Sequence, residues 1–174
     1  MRTLILFLLL VITTISCKDT AKKDTASISE DTTTYYLIRH AEKDRSNPED
    51  VNPMLNEAGV ERAKKWASYF DEIPLTQVFS TAYNRTQQTA AYVASNKNLD
   101  IELYEVGSLY NDEFKELTKG QHVLIVGHSN TTPQLVNKII GQDTYNDIAD
   151  DDNASLYVVT ISGGNARVQV KRVN

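Results

Sequence analysis

The hydrophobic pattern of this chain changes repeatedly between two periods. Short apolar runs alternate with longer stretches in which apolar side chains recur every three or four positions, the spacing of one helix face. The runs predict four strands, and the stretches between them predict four helices. The predicted strands cover Tyr35–Ile38, Gln77–Ser80, Ile101–Val106 and His122–Val126. The predicted helices cover Glu57–Phe70, Asn84–Ser95, Asp112–Lys119 and Thr132–Ile140.

The last part of the chain departs from this alternation. Two segments, Leu156–Ile161 and Ala166–Val173, flank Gly163 and Gly164, and such a pair around a Gly-Gly turn predicts a hairpin. Strands that alternate with helices form a mostly parallel sheet with helices on both faces. We therefore expect an α/β fold of three layers, α/β/α, with a mostly parallel sheet and a C-terminal antiparallel hairpin.

Length and composition are those of one ordinary globular domain. The chain has 174 residues, of which 41% are hydrophobic and 24% are charged, enough for a substantial core. The net charge of −5 argues against a general nucleic-acid-binding protein, which presents a basic surface. Any site for an anionic ligand must therefore be built locally.

The N-terminal segment has the features of an export signal. Arg2 precedes an apolar run over residues 4–12 that is short for a transmembrane helix. Ser16 and Cys17 follow, and this stretch resembles a bacterial lipobox, which implies cleavage before Cys17 and lipidation of its thiol. A plain secretory signal, or an uncleaved anchor beside an incidental cysteine, is the alternative. We predict a signal peptide over residues 1–16, a lipid-anchored flexible tether over residues 17–33, and a folded domain over residues 34–174.

This organisation predicts where the protein acts. The tether is rich in Ser, Thr, Asp and Lys, a composition that favours a flexible linker. The protein is expected to be exported and lipid-anchored to a bacterial cell envelope membrane, on its periplasmic or cell-surface side. Cys17 is the only cysteine, so the predicted domain has neither a disulfide nor a thiol nucleophile.

Two histidines directly follow predicted strands. His40 comes after the first strand, with Arg39 beside it, and His128 follows the fourth strand within Gly127–Asn130. The carboxyl ends of parallel strands meet at one edge of a sheet, where α/β proteins bind ligands. Arg85 lies in the first turn of a predicted helix, at an end that favours anions. Because neutral imidazole can act as a nucleophile and arginine binds phosphate bidentately, this pattern predicts a phosphate site containing a nucleophile.

Four motifs in one order are similar to those of the histidine phosphatase superfamily, also called phosphoglycerate-mutase-like. Arg39–Glu42 resembles its Arg-His-Gly/Ala-Glu signature, and Gly127–Ser129 resembles its Gly-His-Ser/Gly motif. Leu55–Ala63 and Ser80–Ala90 resemble its Leu-Thr-Glu-x-Gly-x-x-Gln-Ala and Ser-x-x-x-Arg-x-x-Gln-Thr-Ala segments. The resemblance covers about residues 35–161 and identifies the chain as a short lipoprotein member with a phosphoglycerate-mutase-like fold.

The resemblance implies a metal-independent hydrolase of phosphoric monoesters that needs no cofactor. His40 would attack phosphorus and form a phosphohistidine, which water would then hydrolyse. The phosphoryl oxygens would meanwhile be held by Arg39, Arg85 and His128.

The resemblance also bears on the substrate. His128 lies only 43 positions after Arg85, which leaves no room for the large inserted cap of acid phosphatases and phytases. An open site suits a small phosphorylated substrate or a phosphoprotein, with Lys43 and Asn130 as candidate contacts. The aspartate-rich run Asp147–Asn153 lacks the glycine and terminal glutamate of a calcium loop, so it is interpreted as a solvated loop.

The general acid is the open part of this prediction. Glu105 lies in a segment that resembles the acid-bearing one of the phosphoglycerate-mutase branch, and Asp112 is the alternative, although capping explains Asp112 equally well. If neither serves, substrates with good leaving groups are favoured, including phosphohistidine and other phosphoramidates. Two other functions stay open: a phosphomutase, and a non-catalytic module that binds phosphorylated ligands on the same residues.

Overall fold

In the computed structural model, which describes residues 32–174, six strands and four helices follow the predicted order. The sheet has the strand order β3-β2-β4-β1-β5-β6; its first four members are parallel, and β5 and β6 form an antiparallel hairpin. The expected fold class is confirmed. The strands are β1 (Thr33–Arg39), β2 (Gln77–Ser80), β3 (Ile101–Leu103), β4 (His122–Gly127), β5 (Ser155–Ser162) and β6 (Asn165–Arg172). The helices are α1 (Glu57–Phe70), α2 (Asn84–Lys97), α3 (Asp112–Leu117) and α4 (Thr131–Ile140).

Each face of the sheet packs against its own pair of helices. Because successive side chains of a strand point to opposite faces, Tyr36 and Ile38 pack toward α1 and α2. Tyr35 and Leu37 pack toward α3 and α4. β1 lies between β4 and β5 and is buried on both faces of the sheet. The segment that follows β1 therefore starts from a fixed position in the core. The helix residues buried on the two faces include Trp66, Phe70, Ala90 and Val93, and Phe114, Val136 and Ile139, respectively.

The start of α1 holds the loop that follows β1. The side-chain oxygen of Asn56 accepts a hydrogen bond from the Gly59 N–H at 2.9 Å, as expected of an N-cap. The Asn56 N–H donates to the Glu42 carbonyl at 3.0 Å. A Cβ at Gly59 would lie 2.1 Å from that same carbonyl oxygen, so only glycine allows the loop to approach the helix this closely.

Replacing Gly59 with alanine is therefore expected to destabilise the protein by about 1–3 kcal/mol, because the added methyl group must displace the backbone of Glu42. Urea unfolding followed by circular dichroism measures this loss. The control is Ala58→Ser, one residue earlier on the exposed side of α1, which we expect to change stability by less than about 0.5 kcal/mol. Equal stability of Gly59→Ala and wild type would show that the loop is not held as described.

The third strand is shorter than predicted. It ends at Leu103 rather than Val106, because the chain turns after Tyr104, whose N–H donates to the Ser80 carbonyl at 3.0 Å. Residues 105–108 then form a turn in which the Ser108 N–H donates to the Glu105 carbonyl and Gly107 has a φ of +83°. The predicted strand failed here because an apolar run continues past the point where pairing with β2 stops.

The N-terminal predictions lie almost entirely outside the described residues. Neither the signal peptide over residues 1–16 nor Cys17 is described, and both stay predictions. The tether was expected to end at residue 33, whereas Thr33 is the first residue of β1. Within residues 32–174, no helix is both long and apolar enough to cross a membrane.

Candidate active site

His40 lies just beyond the carboxyl end of β1 and is held as a neutral imidazole. Its N–H continues the β1–β4 pairing by donating to the Gly127 carbonyl at 2.9 Å. Its ring Nδ1 lies 2.7 Å from the Ala41 carbonyl oxygen, which can only accept, so Nδ1 carries the proton and Nε2 carries the lone pair. Burial lowers the pKa of His40 to about 3, and the neighbouring cations act in the same direction. An unprotonated Nε2 is the state that a nucleophile requires.

The peptide around His40 is fixed from two other elements. The Ala41 N–H donates to the hydroxyl of Thr89, which in turn donates to the Arg85 carbonyl within α2. The Asn153 side chain donates to the His40 carbonyl at 2.8 Å. The ring therefore points in a direction determined by α2 and by the segment before β5.

His128 occupies the equivalent position after β4. The centroids of the His40 and His128 rings lie 5.6 Å apart, as predicted from their placement at adjacent strand ends. His128 Nε2 lies 3.0 Å from the Thr81 hydroxyl, and Nδ1 lies 3.5 Å from Arg85 Nη2. Burial and the nearby Arg85 lower the pKa of His128 to about 4, so this ring is also neutral at neutral pH.

The two predicted arginines supply donors that no described protein group uses. Among residues 32–174, Arg39 Nε and Arg85 Nε and Nη1 are buried without a hydrogen-bond partner. Buried charged donors gain stability from a partner, so these atoms are available to an anionic ligand. The guanidinium of Arg85 is held over the Tyr83 ring, 4.4 Å from its centroid, and Tyr83 also contacts the His128 ring.

The remaining donors of Arg39 bind a loop that sequence reasoning interpreted as solvated. Arg39 Nη1 donates to the carbonyls of Ala149, Asp150 and Asp152 at 2.8, 3.0 and 3.3 Å. Arg39 Nη2 donates to the Asp150 carboxylate at 2.9 Å, and Arg45 donates to the same oxygen at 2.8 Å. Asp150 is therefore a site residue that sequence reasoning missed. No sequence signal links it to Arg39, which lies 111 positions earlier.

These residues line two neighbouring depressions, of about 500 and about 480 Å³, which share part of their walls and are called here the two lobes of one groove. Both lobes contain Arg39, His40, Lys43 and Asp150. The groove thus brings together the predicted nucleophile, phosphate ligands and substrate contacts, including Lys43 and Asn130. The first lobe adds Glu42, Arg45, Asn56, Asp151 and Asn153, and the second adds Tyr83, Arg85, Val106, His128, Ser129, Asn130 and Thr131.

The structure does not bring either candidate acid into this groove. Glu105 is exposed in the turn after β3 and lines a separate depression with Leu103 and Ser108, while Val106 faces the groove instead. Glu105 was expected at the end of the third strand, beside the site, but β3 ends at Leu103 and Glu105 lies in the turn that follows. Asp112 has a side chain that is 99% exposed and paired with Lys115 at 2.9 Å.

Three carboxylates line the groove: two are paired with arginines, and the third is exposed. Glu42 accepts from Arg62 Nε at 2.7 Å, Asp150 is bound to two arginines, and Asp151 is exposed in the first lobe. Hydrogen bonds from Arg45 and Arg39 lower the pKa of Asp150, which keeps it ionised. Residues 32–174 contain no group of three or more His, Cys, Asp or Glu side chains arranged to hold a metal ion.

Removing the charge of Asp150 is expected to tighten phosphate binding. A carboxylate about 6 Å from a dianion costs roughly 1 kcal/mol in a water-like medium, so Asp150→Asn should lower the dissociation constant for phosphate about threefold to tenfold. The amide oxygen still accepts from Arg39. Isothermal titration calorimetry measures the change, with Asp143→Asn as the matched control, since Asp143 is exposed and lines neither lobe of the groove. Weaker binding in Asp150→Asn would mean that the carboxylate positions Arg39 for the ligand.

Comparison with known proteins agrees with this fold. The sequence model of the histidine phosphatase superfamily (branch 1) matches residues 35–106. A search of curated proteins gives no match. Among solved structures, a phosphoglycerate mutase from Bacillus anthracis has a TM-score of 0.64 at 15% identity, covering 83% of this chain and 94% of its own. The protein histidine phosphatase SixA complexed with tungstate has a TM-score of 0.63 at 17% identity, covering 80% and 96%. A mycobacterial glucosyl-3-phosphoglycerate phosphatase has a TM-score of 0.63 at 12% identity, covering 82% and 100%.

Proposed function

Because this chain belongs to the histidine phosphatase superfamily, branch 1, we propose that it hydrolyses phosphoric monoesters through a phosphohistidine on His40. The observation that carries the proposal is a neutral imidazole whose free Nε2 shares a groove with unpaired arginine donors. Superfamily membership alone would fit a phosphatase or a mutase. Exposed residues, among them Arg45, Asn130 and Asp151, line the groove, so water can reach the site once the leaving group has departed.

The chain's own residues account for both chemical steps. In the first step, His40 Nε2 attacks phosphorus, a P–N bond forms, the ester P–O bond breaks, and the leaving alkoxide takes a proton from a water molecule, which becomes hydroxide. In the second step, a water molecule attacks phosphorus, the P–N bond breaks, the attacking water gives one proton to that hydroxide, and hydrogen phosphate leaves the regenerated neutral His40. Charge on the phosphoryl oxygens is stabilised by Arg39 Nε, Arg85 and His128.

The groove favours substrates whose leaving group departs without protonation by a general acid. General acid catalysis typically contributes about 10²–10⁴-fold, and it requires a group that is protonated at the working pH. Asp150 is held ionised, and neither Glu105 nor Asp112 faces the groove. We therefore expect preference for aryl phosphates and for phosphoramidates such as phosphohistidine, a class that the name of the similar protein histidine phosphatase SixA also suggests.

Steady-state assays of the full chain in EDTA across pH 4–8 test the proposal. We expect turnover of p-nitrophenyl phosphate and of a phosphoramidate, and turnover of glycerol 2-phosphate about a hundredfold slower or more. Glu105→Gln and Asp112→Asn should each leave kcat/KM within about twofold of wild type for every substrate. If one of these two variants loses most of its kcat/KM for glycerol 2-phosphate alone, the residue replaced in it is the general acid. Phosphate binding without any turnover would favour a non-catalytic binding module.

A further inference from the structure

A chain of buried hydroxyl groups leads from α2 to the ring of His128. Thr81 and Thr86 are 1% and 0% exposed. The two hydroxyl oxygens lie 2.8 Å apart, and the Thr81 oxygen lies 3.0 Å from His128 Nε2. The Thr86 oxygen also lies 2.8 Å from the carbonyl of Tyr83 and 3.0 Å from the carbonyl of Thr81.

The direction of this chain follows from its carbonyl end. A carbonyl only accepts, so the single hydroxyl proton of Thr86 is donated to the carbonyls. The Thr86 oxygen must then accept from the Thr81 hydroxyl, which uses the proton of Thr81. The Thr81 oxygen can therefore only accept from His128, so Nε2 carries the proton. In the neutral ring, Nδ1 has a lone pair, and this is the nitrogen left to face Arg85 and the groove.

A lone pair is the wrong group to meet a phosphoryl dianion. Phosphoryl oxygens accept hydrogen bonds, so an unprotonated Nδ1 repels them, whereas a protonated Nδ1 donates and adds a positive charge. We propose that the groove takes up one proton at His128 Nδ1 when it binds a tetrahedral dianion, and that Thr81 and Thr86 are positioning residues that impose this coupling. The inference rests on the anion site of the proposed function, but it does not require turnover.

The surroundings of His128 set the pH range of the coupling. The charged or titratable groups that face the ring or share its lobe come from four elements: His40 and Arg39 from the end of β1, Lys43 from the next loop, Tyr83 and Arg85 from the start of α2, and Asp150 from the loop before β5. Burial and the three cations keep the pKa of the free ring low, at about 4. A bound dianion offsets the effect of those cations and raises the pKa of the ring. Around neutral pH, the ring is then neutral in the free protein and protonated in the complex.

Sulfate binding to the full chain tests this proposal. Sulfate resembles the phosphoryl dianion but has no proton to give at neutral pH, so any proton taken up must go to the protein. If His128 takes up about one proton, the dissociation constant rises about tenfold per pH unit between pH 6 and 8. The calorimetric heat then depends on the ionisation enthalpy of the buffer with a slope of about one proton. Affinity independent of pH and buffer, or no sulfate binding, would overturn the proposal.

A variant of Thr86 separates His128 from His40 as the group that takes up the proton. In Thr86→Val, the Thr81 hydroxyl loses its acceptor and turns to donate to His128 Nε2, so the neutral ring carries its proton on Nδ1. We expect proton uptake to fall below about half a proton in Thr86→Val and to stay near one in Thr86→Ser, which keeps the hydroxyl. Uptake of a full proton by Thr86→Val would overturn the role of the hydroxyl chain.

Nuclear magnetic resonance of the ¹⁵N-labelled imidazoles makes the test independent of whether Thr86→Val folds. The free wild-type protein should show His128 with its proton on Nε2, and the sulfate complex should show both nitrogens protonated. A free ring with its proton on Nδ1 would overturn the proposal. These signals do not depend on catalysis, so a protein that couples sulfate to one proton yet hydrolyses nothing would refute the proposed function alone.

Discussion

Replacing His40 with alanine is expected to lower kcat/KM for p-nitrophenyl phosphate about 10⁴-fold or more. The Nδ1 proton of His40 is committed to the Ala41 carbonyl, so the lone pair needed for attack on phosphorus is on Nε2, and alanine removes it. His128, 5.6 Å away between ring centroids, has its Nε2 bound to Thr81 and cannot take over without leaving that hydroxyl. Initial rates of p-nitrophenol release measure the loss.

Two comparisons show whether this loss is chemical. His40→Ala should still bind phosphate, because Arg39 Nε and the Arg85 donors are unchanged, and calorimetry checks this. His122→Ala is the matched control, since it removes a half-buried histidine at the opposite end of β4, where the ring contacts only Tyr36 among the described aromatic residues. We expect His122→Ala to keep its kcat/KM. Residual turnover above a hundredth of wild type in His40→Ala would assign the nucleophile to another group or to water.

Replacing Arg85 with alanine is expected to lower kcat/KM about 10²- to 10³-fold, the typical cost of removing one donor to developing charge. Two of its three guanidinium nitrogens, Nε and Nη1, are buried without a partner, which fits a side chain held ready for a ligand. The Tyr83 ring contacts the guanidinium and holds it in place. Steady-state kinetics should show that kcat falls as well as substrate affinity, since the donors act on charge that develops during phosphoryl transfer.

We expect the planar guanidinium geometry of Arg85, in addition to its charge, to contribute to activity. Arg85→Lys should recover less than about a tenth of the lost activity, because a lysine ammonium cannot present two parallel donors to phosphate. Arg167→Ala is the matched control for loss of one positive charge, since Arg167 is exposed on β6 and lines neither lobe of the groove. Full rescue by Arg85→Lys would reduce the role of Arg85 to a general electrostatic one.

The fold could be predicted because its strongest signals are local. The buried central strands are continuous apolar runs, and α1 begins at an asparagine that caps it as expected. The hairpin turn was predicted from Gly163 and Gly164, which have φ values of +55° and +77°. The third strand was overestimated because hydrophobicity persists through Val106, which lines the groove instead of pairing with β2.

The centre of the site was predictable for a similar reason. His40 and His128 directly follow strands that turned out to be adjacent and parallel, so their position along the chain determines their position in space. Arg85 follows from the same argument applied to β2 and α2. Their placement at strand ends identified these side chains without any knowledge of the loops that cover the site.

The groups that sequence reasoning missed come from contacts between distant segments. Asp150 lies in the loop before β5, which contacts Arg39. No local pattern distinguishes Asp150 from the other aspartates of the Asp147–Asn153 run. Thr81 and Thr86 were seen only as residues of the Ser80–Ala90 motif, whereas their hydroxyls form a chain that reaches the His128 ring. Glu105 was misplaced because one turn, at residues 105–108, decides which side chain faces the groove.

The most direct test of a phosphohistidine on His40 is to trap it. The full chain is mixed with p-nitrophenyl [³²P]phosphate for milliseconds, quenched in alkali, where a P–N bond survives, and digested. The account predicts a label on the peptide that contains His40, lost on brief acid treatment and absent from His40→Ala. Turnover with no label at any mixing time, together with an active His40→Ala, would contradict it, as would an acid-stable label on another residue.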